Sequence, residues 1–177
     1  MSKRRSLSPV ARPDARLLIL GSMPGTLSLQ EQQYYAQPRN AFWQIMGQLF
    51  GAGRELDYAA RLQILEDQQV ALWDALATCY RPGSMDADIR LGDAVANDFR
   101  AFFARHAAIT HVYFNGVKAG ELYTRLVLPT LTDLHQKLPR TTLPSTSPAN
   151  AAASLADKVR VWRKALVSPG KPAASRR

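Results

Sequence analysis

The chain has 177 residues, of which 46% are apolar, and its 23 basic and 14 acidic side chains give a formal net charge of +9. This length suits one domain and excludes two ordinary ones, and the one cysteine, Cys79, excludes a disulfide framework and a cysteine cluster for zinc or iron-sulfur. The charge exceeds what solubility requires and favours a polyanionic partner, nucleic acid first, with inert basic tails as the alternative.

The two ends of the chain differ in composition from the part between them. Residues 1 to 14 and 168 to 177 are rich in Ser, Pro, Ala, Lys and Arg and have almost no large apolar residues. Burial cannot offset the entropy of ordering such segments. We therefore expect two disordered basic tails around one domain that spans residues 15 to 167.

Short apolar runs alternate with longer periodic segments inside this domain. The short runs predict four strands: Leu17 to Leu20, Val70 to Trp73, His111 to Asn115 and Thr141 to Leu143. The longer segments predict helices: Ala41 to Phe50, Asp57 to Gln68, Asp93 to His106, Val117 to Leu126 and about Asn150 to Leu166. Asp57 and Asp93 suit helix starts. The alternation predicts an α/β fold with a mostly parallel sheet between helices.

The sequence also predicts where the protein acts. No apolar segment follows the basic N-terminal residues, and no run of about 18 apolar residues occurs, so we expect neither a signal peptide nor a membrane partner. The lone cysteine fits a reducing compartment. We expect a cytoplasmic protein, associated with the nucleoid if the source is bacterial.

The first predicted strand ends in an unusual loop. Gly21 and Gly25 flank Ser22, Met23 and Pro24, at the carboxyl end of a strand, where open α/β sheets place ligands. The glycines allow backbone N–H groups to approach a ligand closely. As an isolated feature, the Pro-Gly pair is equally ordinary turn chemistry.

The segment after this loop is rich in aromatic and polar residues. Tyr34 and Tyr35 suit either core packing or a surface on which a planar base stacks. Pro38, Arg39 and Asn40 then lead into a predicted helix. Asn40 suits either the cap of that helix or a catalytic role.

Three further loops are predicted on the same rim of the sheet. Asn115 ends the third strand and presents a donor and an acceptor for a base edge, although Asn-Gly is also a common turn. The hydroxyl-rich loop 143–150 follows the fourth strand and suits either phosphate binding or helix capping. Loop 81–88 follows the second strand, and its Asp86 and Asp88 suit solvated side chains better than a general base or a metal pair. The three histidines form no metal-ligand spacing, and the sequence has no triad-hydrolase motif and no P-loop motif.

Two of these loops together resemble a known family. Read with the loop LPSTSPAN, the loop GSMPG is similar to the two motifs of the uracil-DNA glycosylase superfamily. The segments YYAQPRNAFW, RPGSMD and FNG resemble its hypoxanthine-DNA glycosylase branch, also called family six. The resemblance covers residues 16 to 165 and implies a three-layer αβα sandwich with a central four-stranded parallel sheet.

The chain departs from the superfamily pattern at two positions. Met23 stands where mismatch-specific members have a water-positioning Asn, and the resemblance to the hypoxanthine branch transfers that role to Asn40. Gln37 stands where a His often precedes the Pro. Iron-sulfur members need four cysteines, so the single Cys79 excludes that branch.

The resemblance implies a mechanism with defined roles. The damaged nucleotide is flipped out of the duplex, and the hypoxanthine base stacks on Tyr35. Asn40 orients the attacking water, and no lysine nucleophile or cofactor is implied. The residues expected to bind the base are Gly21, Ser22, Met23, Pro24, Tyr35 and Asn115. Those expected to bind the DNA backbone are Arg39, Lys118, Ser145, Thr146, Ser147 and Pro148.

The leading interpretation is a monomeric, monofunctional DNA glycosylase that removes hypoxanthine from double-stranded DNA during base excision repair. One alternative is the same enzyme with uracil or xanthine as the preferred base. A second is a non-catalytic nucleic-acid-binding module with this fold, suggested by Met23. A third is a flavodoxin-like nucleotide-binding domain, which the basic charge disfavours.

Overall fold

The computed structural model describes residues 3–167, and the strands in this range are β1 (Arg4–Arg5), β2 (Leu17–Gly21), β3 (Val70–Asp74), β4 (Leu76–Tyr80), β5 (Arg90–Ala96), β6 (His111–Asn115) and β7 (Arg140–Leu143). The α-helices are α1 (Thr26–Glu31), α2 (Phe42–Phe50), α3 (Tyr58–Asp67), α4 (Phe99–Arg105), α5 (Val117–Leu122), α6 (Asp133–Gln136) and α7 (Leu155–Leu166).

The central sheet is parallel and has the strand order β3-β2-β6-β7. All four predicted strands are therefore confirmed. In β2, Leu18, Ile19 and Leu20 have no solvent exposure. Parallel strands that are covered on both faces consist of such continuous apolar runs rather than an apolar-polar alternation.

Helices cover both faces of this sheet. Adjacent residues of a strand point to opposite faces. Trp73 packs against Phe99 and Phe102 of α4, with ring centroids 4.8 Å away in both cases. On the other face, the Tyr113 hydroxyl donates to the Ala165 carbonyl of α7 at 2.9 Å. The fold is thus the predicted three-layer αβα sandwich.

The predicted helix ends are confirmed in some places and wrong in others. Asp57 caps α3, since its carboxylate accepts from the Ala60 N–H at 2.8 Å. Asp93 is not a helix start, because residues 90–96 form β5 and the cap of α4 is Asp98. The strand β5 has only a short and irregular alternation of half-buried and exposed residues. The sequence pattern therefore did not separate it from the helix that follows, α4. The last helix begins at Leu155, after Ser154, rather than near Asn150.

A second sheet, antiparallel with order β1-β4-β5, was not predicted. The expectation that residues 1–14 form a tail is wrong for the described part of this segment, because Arg4 pairs with Cys79 in this sheet and Val10 bridges Leu72 of β3. These residues are held by backbone hydrogen bonds, which do not need large apolar side chains. The other predicted tail, residues 168–177, lies outside the described residues.

None of the helices between residues 3 and 167 combines the length and apolar character that crossing a membrane requires.

Candidate active site

A cleft of about 790 Å³ opens at the carboxyl ends of the parallel strands. Its walls come from the first loop, residues 34–40, loop 81–88 and loop 143–150, together with Asp74 and Asn115 at the ends of β3 and β6. A volume of this size suits a ligand of drug-like or nucleotide size. A shallower groove of about 470 Å³ lies between α2 and α7 and shares no lining residue with the cleft.

The first loop is fixed by the strand beside it. The carbonyls of Gly21 and Ser22 accept from the N–H groups of Ala75 and Leu76 at 2.9 and 3.1 Å. Met23 is 5% exposed and belongs to a small apolar cluster with Cys79 and its neighbours. Met23 therefore packs into this cluster, although part of it and of Pro24 lines the cleft.

Arg81 holds loop 81–88 against the first loop. Its side chain is 3% exposed and donates to the Met23 carbonyl at 2.8 Å and to the Met85 carbonyl at 3.0 Å. Its guanidinium also lies 3.5 Å from the Asp86 carboxylate. Asp86 in turn accepts from the Ser22 hydroxyl at 2.5 Å. These contacts give Asp86 a structural role in joining the two loops, and sequence reasoning had not singled out Arg81.

The described residues include no group of three or more His, Cys, Asp or Glu side chains that could hold a metal ion.

The two tyrosines occupy different environments. Tyr34 is 4% exposed, and its hydroxyl donates to the Ser8 carbonyl at 2.8 Å, so it is a packing residue. Tyr35 lines the cleft, and its ring stacks on Phe42 with centroids 4.0 Å apart and planes inclined by 21°. Burial raises the pKa of the Tyr35 hydroxyl, with nearby Asp74 adding to the effect, so the phenol stays neutral.

Tyr35 adopts a backbone conformation that side chains rarely accept, with φ of 55°. Such strain persists only where the surroundings hold the residue in place. Here Arg54 donates to the carbonyls of Tyr35 and Gln37 at 3.2 and 2.7 Å, and Ser28 accepts from the Ala36 N–H at 3.1 Å. No motif in the sequence indicated Arg54.

Asn40 lines the cleft and directly precedes Ala41, the cap of α2. Its amide oxygen accepts from the Phe42 N–H at 2.9 Å. The neighbouring Ala41 N–H donates to the Thr146 carbonyl at 2.9 Å, which ties this segment to loop 143–150. The prediction that Asn40 is the cap of α2 is wrong by one position, because the cap is Ala41 and Asn40 binds the first helical N–H from the residue before it. The amide nitrogen of Asn40 is the group left for a role in the cleft.

Asn115 joins the end of β6 to loop 143–150. Its amide nitrogen donates to the Thr146 hydroxyl at 2.8 Å, and its amide oxygen accepts from the Thr146 N–H at 2.9 Å. Gly116 follows with φ of 94°, and an ideal Cβ there would lie 3.0 Å from the Ser145 Cβ. The turn therefore requires glycine, and the expected contact of Asn115 with a base competes with this tether.

Loop 143–150 is braced by its own hydroxyls. Ser145 and Ser147 accept from the N–H groups of Ser147 and Ala149 at 3.2 and 3.3 Å. Both serines, with Thr146 and Pro148, line the cleft as expected. The N-terminus of α7 does not line the cleft, because its cap is Ser154, which is not a lining residue and whose hydroxyl donates to Asp157 at 2.7 Å.

Of the two basic residues expected at the DNA backbone, the structure brings one to the cleft. Arg39 is exposed on the rim. Lys118 is not among the lining residues, and its ammonium lies 3.7 Å from the Glu121 carboxylate.

Sequence reasoning missed Asp74, which ends β3 and lines the cleft. The side chain is 4% exposed, and burial raises the pKa of its carboxyl to about 7. A signal was present, since an acidic residue directly follows the buried run of β3 at the rim where the first loop begins.

The sequence is similar to those of known proteins. A sequence model of the Uracil DNA glycosylase superfamily matches residues 8–166. A Hypoxanthine DNA glycosylase of Methanosarcina barkeri is 34% identical over 120 residues, which is 67% of this chain and 75% of that protein. A protein of the same name from Methanosarcina acetivorans is 34% identical over 119 residues, 67% of this chain and 74% of its own length.

A solved structure is also similar. The solution NMR structure of a candidate uracil DNA glycosylase from Methanosarcina acetivorans has a TM-score of 0.73 and 32% identity. The match covers 92% of this chain and 98% of that one.

Proposed function

The chain belongs to the uracil DNA glycosylase superfamily, and we propose that it is a monofunctional glycosylase that removes hypoxanthine from deoxyinosine in double-stranded DNA. The observation that carries this proposal is the cleft, which brings Asn40, Tyr35 and both motif loops together in a chain that is 34% identical to proteins named hypoxanthine DNA glycosylases.

The cleft favours a substrate that leaves the duplex. The N-glycosidic bond lies inside the base stack, so the nucleotide is extruded at a cost of a few kcal/mol, which is least for a mispaired base. Phe42 already covers one face of the Tyr35 ring at a centroid distance of 4.0 Å. A base on the opposite face continues this stack, and the first loop, from Gly21 to Pro24, contacts the edge of the base.

Water attack follows from the position of Asn40. An amide is a poor base near neutral pH, so Asn40 orients the water through its amide nitrogen while its oxygen stays on the Phe42 N–H. The sugar becomes oxocarbenium-like as the bond breaks, and this lowers the demand on the nucleophile. Among the cleft-lining residues of the described chain there is no lysine. A Schiff base with the sugar is therefore not expected, nor is strand cleavage.

The DNA backbone contacts come from the rim. Arg39 and the hydroxyls of loop 143–150 line the cleft and are proposed to bind a phosphate that flanks the extruded nucleotide. Lys118 is proposed as a contact outside the cleft. The net charge of +9 supports association with DNA in general. We propose that one copy of the chain acts alone, which size-exclusion chromatography with light scattering checks.

The experiment uses duplexes with one deoxyinosine, deoxyuridine or deoxyxanthosine, followed by alkali to break abasic strands. Because Asn40 also accepts from the Phe42 N–H at the start of α2, Asn40→Ala loses both functions, whereas Asn40→Ser keeps an acceptor oxygen and removes the amide. Asp57→Ala removes the cap of α3 outside the cleft and is the matched control. We expect cleavage at deoxyinosine that falls about tenfold or more, a loss of about 1.4 kcal/mol of transition-state stabilisation, in both Asn40 variants but not in Asp57→Ala.

Other outcomes correct the proposal in defined ways. Cleavage only at deoxyuridine or deoxyxanthosine keeps the reaction and changes the substrate. No cleavage of any duplex by folded protein contradicts the proposal and favours the non-catalytic binding module.

A further inference from the structure

Asp74 is an acidic group in the cleft that the roles above leave unused. It is 4% exposed, and acidic side chains are almost never fully buried unless paired. Between residues 3 and 167 it forms no salt bridge. A buried carboxyl without a cationic partner, facing a cleft, is a candidate for chemistry rather than for stability.

The two oxygens of this carboxyl have different surroundings. Oδ2 accepts from the Ser6 hydroxyl at 3.3 Å. Oδ1 lies against Gly21, where an ideal Cβ would be 2.5 Å from it and 3.5 Å from the Tyr35 hydroxyl. The missing side chain of Gly21 therefore makes room for the carboxyl. The carboxyl thus lies beside the first loop and the Tyr35 ring, in the part of the cleft where the base is proposed to bind.

The titratable groups that interact electrostatically with Asp74 come from several elements. Arg81 and Asp86 shift its pKa, and Asp74 in turn raises the pKa values of Tyr34, Tyr35 and Tyr58. Burial raises the pKa of each of the three tyrosines, which stay neutral. Arg81 favours the carboxylate and Asp86 opposes it, and Arg81 is itself held by backbone carbonyls and Asp86.

Burial outweighs these contributions and raises the pKa of Asp74 to about 7. A large fraction of the molecules then carries a neutral acid at this position near neutral pH. General acids are most effective when their pKa lies near the working pH.

We propose that Asp74 is the catalytic acid of the reaction, giving its proton to a ring nitrogen of the leaving purine. This inference rests on the proposed function. The bond between C1′ and N9 breaks, and its electron pair goes to the base. The proton moves from the Asp74 carboxyl to N7 or N3, so that the base leaves neutral. Water adds to C1′, and the proton it loses returns to the Asp74 carboxylate, directly or through solvent.

The other residues near the proposed base do not supply this proton. Asn40 is an amide, and the Tyr35 phenol has a pKa raised by burial, so neither gives up a proton readily. A positioned general acid contributes roughly 10²- to 10⁴-fold to the rate.

The test measures single-turnover excision from a deoxyinosine duplex across the neutral pH range, for wild type, Asp74→Asn and the control Asp93→Asn. Asp93 is an exposed residue of β5 outside the cleft. We expect the wild-type and Asp93→Asn rates to fall about tenfold per pH unit above the pKa of Asp74, and Asp74→Asn to be about 10²-fold slower below it and flat. A wild-type rate that does not fall with pH, or Asp74→Asn with the wild-type rate, overturns the inference.

Substrate analogues locate the proton without relying on the variant alone. Duplexes with 7-deaza- or 3-deaza-deoxyinosine lack one accepting nitrogen each. On the analogue that lacks the nitrogen that accepts the proton, we expect wild type to excise the base as slowly as Asp74→Asn excises hypoxanthine. On that analogue Asp74→Asn should cause no further loss of rate. An equal loss from Asp74→Asn on deoxyinosine and on both analogues overturns the inference.

Failure of the inference and failure of the proposed function give different results. Excision by wild type with no role for Asp74 leaves the glycosylase proposal intact and removes only the acid. Absence of hypoxanthine release by wild type at every pH removes both.

Discussion

The buried carboxyl of Asp74 makes the stability of the folded protein depend on pH in a calculable way. Its pKa is about 7 in the folded chain, against an ordinary value of 3.8 for an aspartic acid, and each pKa unit between them corresponds to about 1.4 kcal/mol. Between the two values the unfolded chain has lost the proton and the folded chain keeps it. The stabilisation is therefore fully present below the lower value and is lost as pH rises through about 7, by about 4 kcal/mol in all.

Asp74→Asn removes the titrating carboxyl and with it this dependence. The free energy of unfolding of the variant minus that of wild type should rise by about 3 kcal/mol between about pH 5 and about pH 8. Urea unfolding at a series of pH values measures this difference, with Asp93→Asn as the control, whose difference from wild type should stay flat. A difference for Asp74→Asn that stays constant within about 0.5 kcal/mol contradicts a raised pKa and removes the support that it gives to a catalytic acid.

Three further predictions concern the cleft. Gly21→Ala places a Cβ 2.5 Å from Asp74 Oδ1, so excision should fall about tenfold or more, whereas Gly92→Ala, with open space around it, should not change the rate; equal rates for both would contradict the close approach. Arg81→Ala leaves buried carbonyls without a donor and should lower the free energy of unfolding, measured by urea unfolding, by about 2 kcal/mol. An unchanged urea midpoint would show that contacts other than those of Arg81 hold loop 81–88 in place. Arg39→Ala should lower the slope of log affinity against log salt by about one, measured by fluorescence anisotropy, and an unchanged slope would place the phosphate elsewhere.

The sequence predicted the central sheet well because its strands carry their own signal. Runs such as Leu17 to Leu20 are apolar throughout, as strands covered on both faces must be, and the alternation with helices implied parallel pairing. The antiparallel sheet was missed for the opposite reason. Arg4 and Arg5 pair through their backbones, and an edge strand that is half exposed has no apolar run to reveal it.

The cleft was predicted in outline from strand ends and two motifs, but not in its contacts. Asn115 and Asn40 were both identified, yet whether an amide faces a ligand or a neighbouring backbone depends on loops that are distant in sequence. Arg81 and Arg54 hold those loops through backbone carbonyls, and such partners have no sequence pattern of their own. Asp74 was the residue that a closer examination of strand ends would have found.

The most direct test of the central claim is the identity of the base that the protein releases. Duplexes with deoxyinosine, deoxyuridine or deoxyxanthosine are incubated with wild type, and the free bases are identified by mass spectrometry, with rates compared as kcat/KM. We expect free hypoxanthine from the deoxyinosine duplex, released faster than uracil or xanthine, with an intact strand until alkali is added. Release of no base from any duplex by folded protein would contradict the glycosylase proposal.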